Sequence, residues 1–114
     1  MGVGLISATS LESVLVRARK LVSPDLSVQQ LLILTAVYNG GSRGIEQGEL
    51  ITKYGVSRSH ASKTVADLSA LTSAKKEGPG LIRSDLDPRD FRIRMITCTD
   101  KGVDTVRKML GEKP

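Results

Sequence analysis

The sequence predicts an α+β fold, mainly helical with a two- or three-stranded β element, and three observations carry that expectation. Apolar residues recur at helical spacing near both ends of the chain. Two short helical stretches, 49–54 and 56–68, meet at Gly55. Apolar and polar residues then alternate with period two on either side of Asp87-Pro88-Arg89-Asp90. A chain of 114 residues is large enough for one core and not two, so 1–114 is expected to be a single domain.

Thr9-Ser10-Leu11-Glu12 reads as a capping box, and Leu11, Val14, Leu15, Ala18, Leu21 and Val22 then repeat at helical spacing, giving a first helix over about 10–22. Its other side carries Arg17, Arg19 and Lys20. Ser23-Pro24-Asp25 ends it, and Ser27 with Gln30 opens a second helix. There Val28, Leu31, Leu32, Leu34, Thr35 and Tyr38 leave almost no polar side, which predicts central burial. Asn39-Gly40-Gly41-Ser42-Arg43-Gly44 is a turning connection; it lacks the lysine-threonine ending of a phosphate-binding loop.

Two helices joined through a glycine-containing turn form a helix-turn-helix, expected here over about 46–72. Ser57 stands where an N-cap is needed, and the second helix would run from about Arg58 to Leu71. At about 100° per residue, Ala61, Val65 and Leu68 fall on one side with Thr64 beside them. Ser59, Lys63 and Ala66 fall opposite, flanked by Ser62 and His60. A solvated helix of this length would more often carry Glu/Lys pairs. Small hydroxyls and one cation instead suit close approach to a nucleic acid, where Ser donates or accepts and Lys reaches phosphate or guanine. The helix start, at the positive end of its dipole, suits a phosphate.

A loop with Lys75, Lys76, Gly78, Pro79 and Gly80 leads to strands over about 81–98. Leu81, Ile82 and Leu86 mark one, while Phe91, Ile93 and Met95 alternate with Arg92 and Arg94 on the other. Asp87-Pro88-Arg89-Asp90 is the turn, which sets Arg89 and Arg92 at or near the hairpin tip. An arginine so placed can enter a narrow minor groove. A last helix over about 100–110 presents Val103, Val106, Met109 and Leu110. The first and last helices are expected either to make a dimer contact or to complete the monomer core.

These parts in this order resemble the MarR family of winged-helix transcription regulators. Asp90 and Arg92 match the Asp-x-Arg element of that family's wing. Thr99-Asp100-Lys101-Gly102 matches the end of its Leu-Thr-x-x-Gly sequence, with Cys98 in the leucine place. The resemblance covers about 31–110 and implies a dimeric repressor or activator whose recognition helices and wings read adjacent grooves. Family members also use extended terminal helices to enclose a small-molecule pocket. With 114 residues that part must be reduced, which leaves an effector an open question.

Composition narrows the partner. Seventeen Lys and Arg against twelve Asp and Glu give a net charge of +5, which favours a polyanion. The aromatics are Tyr38, Tyr54 and Phe91 alone, too few for the stacking platforms of single-strand binders, so duplex DNA is favoured. One cysteine, Cys98, excludes an intramolecular disulfide and a cysteine-rich zinc site, and it reads as a small core residue. His60 has no second ligand on its face. Ser57, Ser59 and Ser62 on the same helix point in different directions, so no catalytic site is expected. Asp85, Asp87 and Asp90 lack the glycine and terminal glutamate of a calcium loop. No cofactor, metal or membrane partner is expected, and the expected location is the cytoplasm.

The sequence therefore leads to a homodimeric winged helix that binds double-stranded DNA selectively. Ser59, Ser62, Lys63 and His60 would read bases. Arg58, Lys75 and Lys76 would anchor phosphates, with the Ser57 cap at the helix start. Arg89 and Arg92 would enter the minor groove, and Asp90 would orient an arginine. The alternative is a winged helix serving as a protein-interaction or assembly module in a replication or packaging complex, which would favour exposed aromatics or leucines on the recognition helix.

Overall fold

Helix α1, Ala8–Leu21, begins on Ser7, whose hydroxyl accepts from the Ser10 amide at 3.0 Å. This computed structural model describes residues 5–70 and 76–112. The box expected at Thr9 and Glu12 does not form. Ser7 offers the same hydroxyl three residues ahead of Ser10, and a cap there adds the turn that holds Ala8 and Thr9 to the helix. Helix α2, Val28–Asn39, starts on a full capping box: the Ser27 hydroxyl accepts from the Gln30 amide at 3.0 Å, and the Gln30 side-chain oxygen accepts from the Ser27 amide at 2.8 Å. Its second half is central, with Ile33, Leu34, Ala36 and Val37 buried; its first residue, Val28, is exposed.

A 3₁₀ turn at Gly41–Arg43 leads to β1, Ile45–Glu46, then α3, Gln47–Thr52. Gly55, at φ +72°, makes the turn into α4, Arg58–Asp67, a conformation that a side chain would strain. The helix ends at Asp67, short of the expected Leu71, which lies outside the described residues. The reason is visible at Ser69: its hydroxyl takes the Val65 carbonyl at 2.6 Å and its amide donates instead to the Ala66 carbonyl at 3.1 Å, which ends the i to i−4 pattern.

Strands β2, Ile82–Asp87, and β3, Asp90–Cys98, form the hairpin, and β1 joins the other edge of β3 antiparallel, giving the order β1-β3-β2. The two-residue β1 pairs Ile45 with Ile96 and Glu46 with Met95. Along the hairpin, Ile82 opposes Cys98 and each step is regular to Leu86 opposite Arg94. Asp87 then opposes Asp90, so Phe91, Arg92 and Ile93 bulge out of the ladder.

Helix α5, Asp100–Met109, closes the fold. The Thr99 hydroxyl accepts from the Gly102 amide at 3.0 Å and donates to the Gly80 carbonyl at 2.6 Å. A Cβ at Gly102 would run into the Leu81 carbonyl, so the helix lies this close to the strand only with glycine there. Thus the threonine and glycine of the matched motif anchor the last helix to the base of the hairpin.

The core joins Ile33, Leu34 and Val37 of α2 to Leu50, Ala61, Val65 and Leu68, to Leu81, Ile82 and Ile96 at the sheet base, and to Val106 and Met109 of α5. Each large aliphatic among them contributes about 1.5–3 kcal/mol by leaving water. Among the described residues no buried side-chain nitrogen or oxygen lacks a hydrogen-bond partner. Helix α5 buries Gly102, Thr105, Val106 and Met109, whereas α1 buries only Ala18 and leaves Leu11, Leu15, Val16 and Leu21 partly exposed. Arg17 ties the two together by donating to the Met109 carbonyl at 2.7 Å, where the negative end of the α5 dipole lies.

Candidate nucleic-acid interface

Helix α4 is held from beneath and left open above. Ala61, Thr64, Val65 and Leu68 are buried, the side assigned to the core by the sequence, and Thr64 accepts from the Gln29 side-chain amide at 3.2 Å. Ser57, Arg58, Ser59, His60, Ser62 and Lys63 are all exposed. The Ser57 hydroxyl caps the helix by accepting from the His60 amide at 3.3 Å. Ser62 is oriented by the Gln47 side-chain amide, which donates to its hydroxyl at 3.2 Å. Lys63 reaches Asp67 one turn on, at 2.8 Å, a surface pair worth little in itself and easily exchanged for a phosphate.

The wing tip is held by local hydrogen bonds to carboxylates. Asp87 accepts from the Arg89 amide at 2.8 Å and so shapes the turn. Asp90 accepts from the Arg92 amide at 3.0 Å and meets the Arg92 guanidinium in a fork, with Nε on one oxygen and Nη2 on the other, both at 3.0 Å. The guanidinium, and after it the amide, holds the Asp90 carboxyl below its ordinary range, and the same fork raises Arg92. Further along, Arg94 donates to the Ser84 hydroxyl at 3.3 Å and Arg83 meets Asp85 at 3.3 Å.

Helix and wing share two clefts. One, of about 600 Å³, is lined by Gln47, Ser62 and Ala66 on the helix side and by Arg83, Ser84 and Arg94 on the wing side. The other runs from Arg58 and Gln47 to Phe91, Arg92 and Arg94. Of the expected residues, Arg58, Ser62 and Arg92 are therefore brought together around the clefts. Lys75 lies outside the described residues; Lys76 is exposed in the loop beyond α4. Arg89 stands exposed at the turn. Sequence reasoning passed over Gln47, Arg83 and Arg94. The two arginines carried a signal in their period-two placement, but Gln47 is fifteen positions from the serine it orients and carried none.

Cys98 is half-buried at the end of β3, and burial raises its thiol pKa, the opposite of an activated thiolate. Among the described residues no group of His, Cys, Asp and Glu is arranged to hold a metal ion, and no helix is long and apolar enough to cross a membrane.

Among the described residues, five α-helices, a three-stranded antiparallel sheet and a bulged hairpin beside the second helix of a helix-turn-helix define a winged helix-turn-helix of the MarR type. Solved structures bear this out. The MepR–DNA complex of S. aureus is 18% identical, with a TM-score of 0.68 over 90% of this chain and 74% of that one. The PcaV transcriptional regulator from Streptomyces coelicolor, in complex with its natural ligand, is 21% identical, with a TM-score of 0.60 over 94% and 75%. The transcriptional regulator Tm0710 from Thermotoga maritima is 27% identical, with a TM-score of 0.64 over 90% and 66%. No protein-family model and no curated protein matches the sequence.

Proposed function

We propose that this protein is a DNA-binding transcription regulator that reads a duplex operator, with α4 in the major groove and the wing arginines in the minor groove. The observation that carries this reading is the pairing of surfaces: Arg58 and Ser62, at the edge of an exposed helix face that also carries Ser59, His60 and Lys63, share clefts with Arg92 and Arg94 of the wing. Such a face admits close approach to base edges, and the flanking arginines supply the phosphate and minor-groove contacts that fix register. The DNA complex formed by the structurally similar MepR supports it.

In this reading Ser59, His60, Ser62 and Lys63 contact bases, with Ser62 presented by Gln47, while Arg58, Lys75 and Lys76 hold phosphates and the Ser57 cap fixes the helix start. Arg89 and Arg92 enter the minor groove, and Asp90 aims Arg92. The whole of 1–114 acts as one domain. It works as a homodimer and a repressor, joined through α1, whose apolar residues Leu11, Leu15, Val16 and Leu21 remain partly exposed while α5 is spent on the core. PcaV is solved in complex with its natural ligand, whereas the clefts of this chain are open grooves. An interaction module would want apolar residues on the exposed face of α4, where Arg58, Ser59, His60, Ser62 and Lys63 stand instead.

Selection from random duplex DNA, followed by titration of the recovered sites at two salt concentrations, tests the proposal. An enriched palindrome with half-sites about one helical turn apart is the expected outcome. Binding that enriches no sequence and vanishes with salt overturns it. Within the selected site, Lys63→Ala should weaken specific binding more than nonspecific binding, whereas Lys76→Ala should weaken both alike and flatten the salt dependence. Equal losses from the two changes contradict the division of labour.

A further inference from the structure

The wing carries an apolar side chain that the fold does not use. Phe91, the chain's one phenylalanine, is 73% exposed. Regular alternation would put it on one face with Ile93 and Met95. At the hairpin end, however, Phe91, Arg92 and Ile93 lie unpaired between the Asp87–Asp90 and Leu86–Arg94 pairs, and the ring stands in solvent beside the cleft it shares with Ile93. Breaks in a ladder of this kind are common at functional edges. Leu86, 47% exposed, lines the same cleft, so the apolar surface is a small patch and not a lone ring.

The surroundings indicate what meets it. Arg89 precedes the ring on the exposed turn, Arg92 follows it with its guanidinium oriented by Asp90, and Arg58 and Arg94 line the cleft beside it. An apolar ring bracketed by cations is complementary to a base step bracketed by phosphates: the ring takes the place of stacking while the arginines hold the backbone on either side. A protein groove that accepted the ring would need acidic groups at the same spacing.

We propose that Phe91 is a wedge that enters the minor groove and partly unstacks one base step, bending the duplex and selecting for an easily opened pyrimidine–purine step at the wing position. The proposal rests on the DNA-binding reading above and adds a specificity-determining residue to it. Leu86 follows the ring and covers the opened step from one side, so the wing reads deformability where α4 reads base edges.

The test compares the full-length protein with Phe91→Ala and Phe91→Leu on the selected site and on duplexes carrying a TA, CA or GG step at the wing position. Bend angle is read by energy transfer between the duplex ends, and unstacking by 2-aminopurine fluorescence. Wild type should bend the site, brighten the probe at one step and prefer TA or CA. Phe91→Ala should lose the bend, the brightening and the preference, and bind about tenfold more weakly, with Phe91→Leu in between. The ring lies outside the core, so both variants should melt as wild type does. Equal affinity, bend and step preference in Phe91→Ala overturns the wedge and leaves DNA binding standing. Failure of wild type to bind any duplex overturns both. Unchanged bending with loss of self-association in sedimentation overturns the wedge in favour of a contact between copies of this chain.

Discussion

Helix α4 and the wing tip present their polar groups by opposite means. The helix is positioned by the core: Ala61, Val65 and Leu68 are pressed beneath it, and its outer residues owe little to one another. The wing tip has no core beneath it. Its shape comes from Asp87 and Asp90 binding the amides and the guanidinium of their neighbours, and from a bulge. A surface placed by packing keeps its geometry whatever its outer residues are. A surface placed by local charge depends on those residues themselves. The helix can therefore change its outer residues without refolding, while the wing cannot change its acidic residues without changing shape.

Substitutions below and above the helix give the widest contrast. Leu68→Ala should cost about 2–5 kcal/mol, because Leu68 is fully buried where helix, loop and strand meet. Arg89→Ala on the wing should change stability by less than about 0.5 kcal/mol while weakening DNA binding. Denaturant unfolding of the two variants checks this; similar losses would mean that the wing too is held by the core. A next smaller effect is expected where the wing is fastened to the scaffold. Gly102→Ala should destabilise by about 1–3 kcal/mol, although alanine is the better helix former, because its Cβ meets the Leu81 carbonyl. A stabilised variant would show that the last helix can move away from the strand at no cost. Ser57→Ala removes the cap of α4 and should cost about 1 kcal/mol, read in the same unfolding experiment.

The parts legible in the sequence were those decided locally. Ser27 with Gln30 and the Asp87–Asp90 turn act on amides within a few residues, and Gly55 acts through its own backbone angle, so pattern alone placed them. What sequence left hidden depended on distant partners. The two-residue β1 exists only because β3 offers it an edge. Beyond the end of helix α4 the Leu68 carbonyl is taken by the Leu81 amide, distant in sequence, which turns the chain toward the sheet. Ser7 and Thr9 are equally plausible caps by type, and the longer helix prevails. The hydroxyl face of α4 followed from its period, but the presentation of Ser62 by Gln47 needed the turn between them. Phe91 is the sharpest case: its alternation with Ile93 and Met95 was legible, but the gap in pairing between Asp90 and Arg94 that leaves it exposed was not.

The smallest effect isolates the local charge on which the wing depends. Asp90 is held below the ordinary carboxylate value, first by the Arg92 guanidinium and then by the Arg92 amide. A carboxyl depressed in the folded state supports its turn above the unfolded value and loses that support as pH falls through the lowered one. The wing tip should thus keep its shape at neutral pH and loosen only in strong acid, whereas α4, placed by packing, has no such dependence on this group. Arg92→Gln removes the guanidinium but keeps the backbone amide. The Asp90 titration, followed by side-chain carbon NMR, should therefore move up most of the way toward the ordinary value without reaching it. A midpoint unmoved by Arg92→Gln would show that the amide alone holds the carboxylate. The arginine would then be free to leave Asp90 without disturbing the turn, and the wing would be built more like the helix than its ion pair suggests.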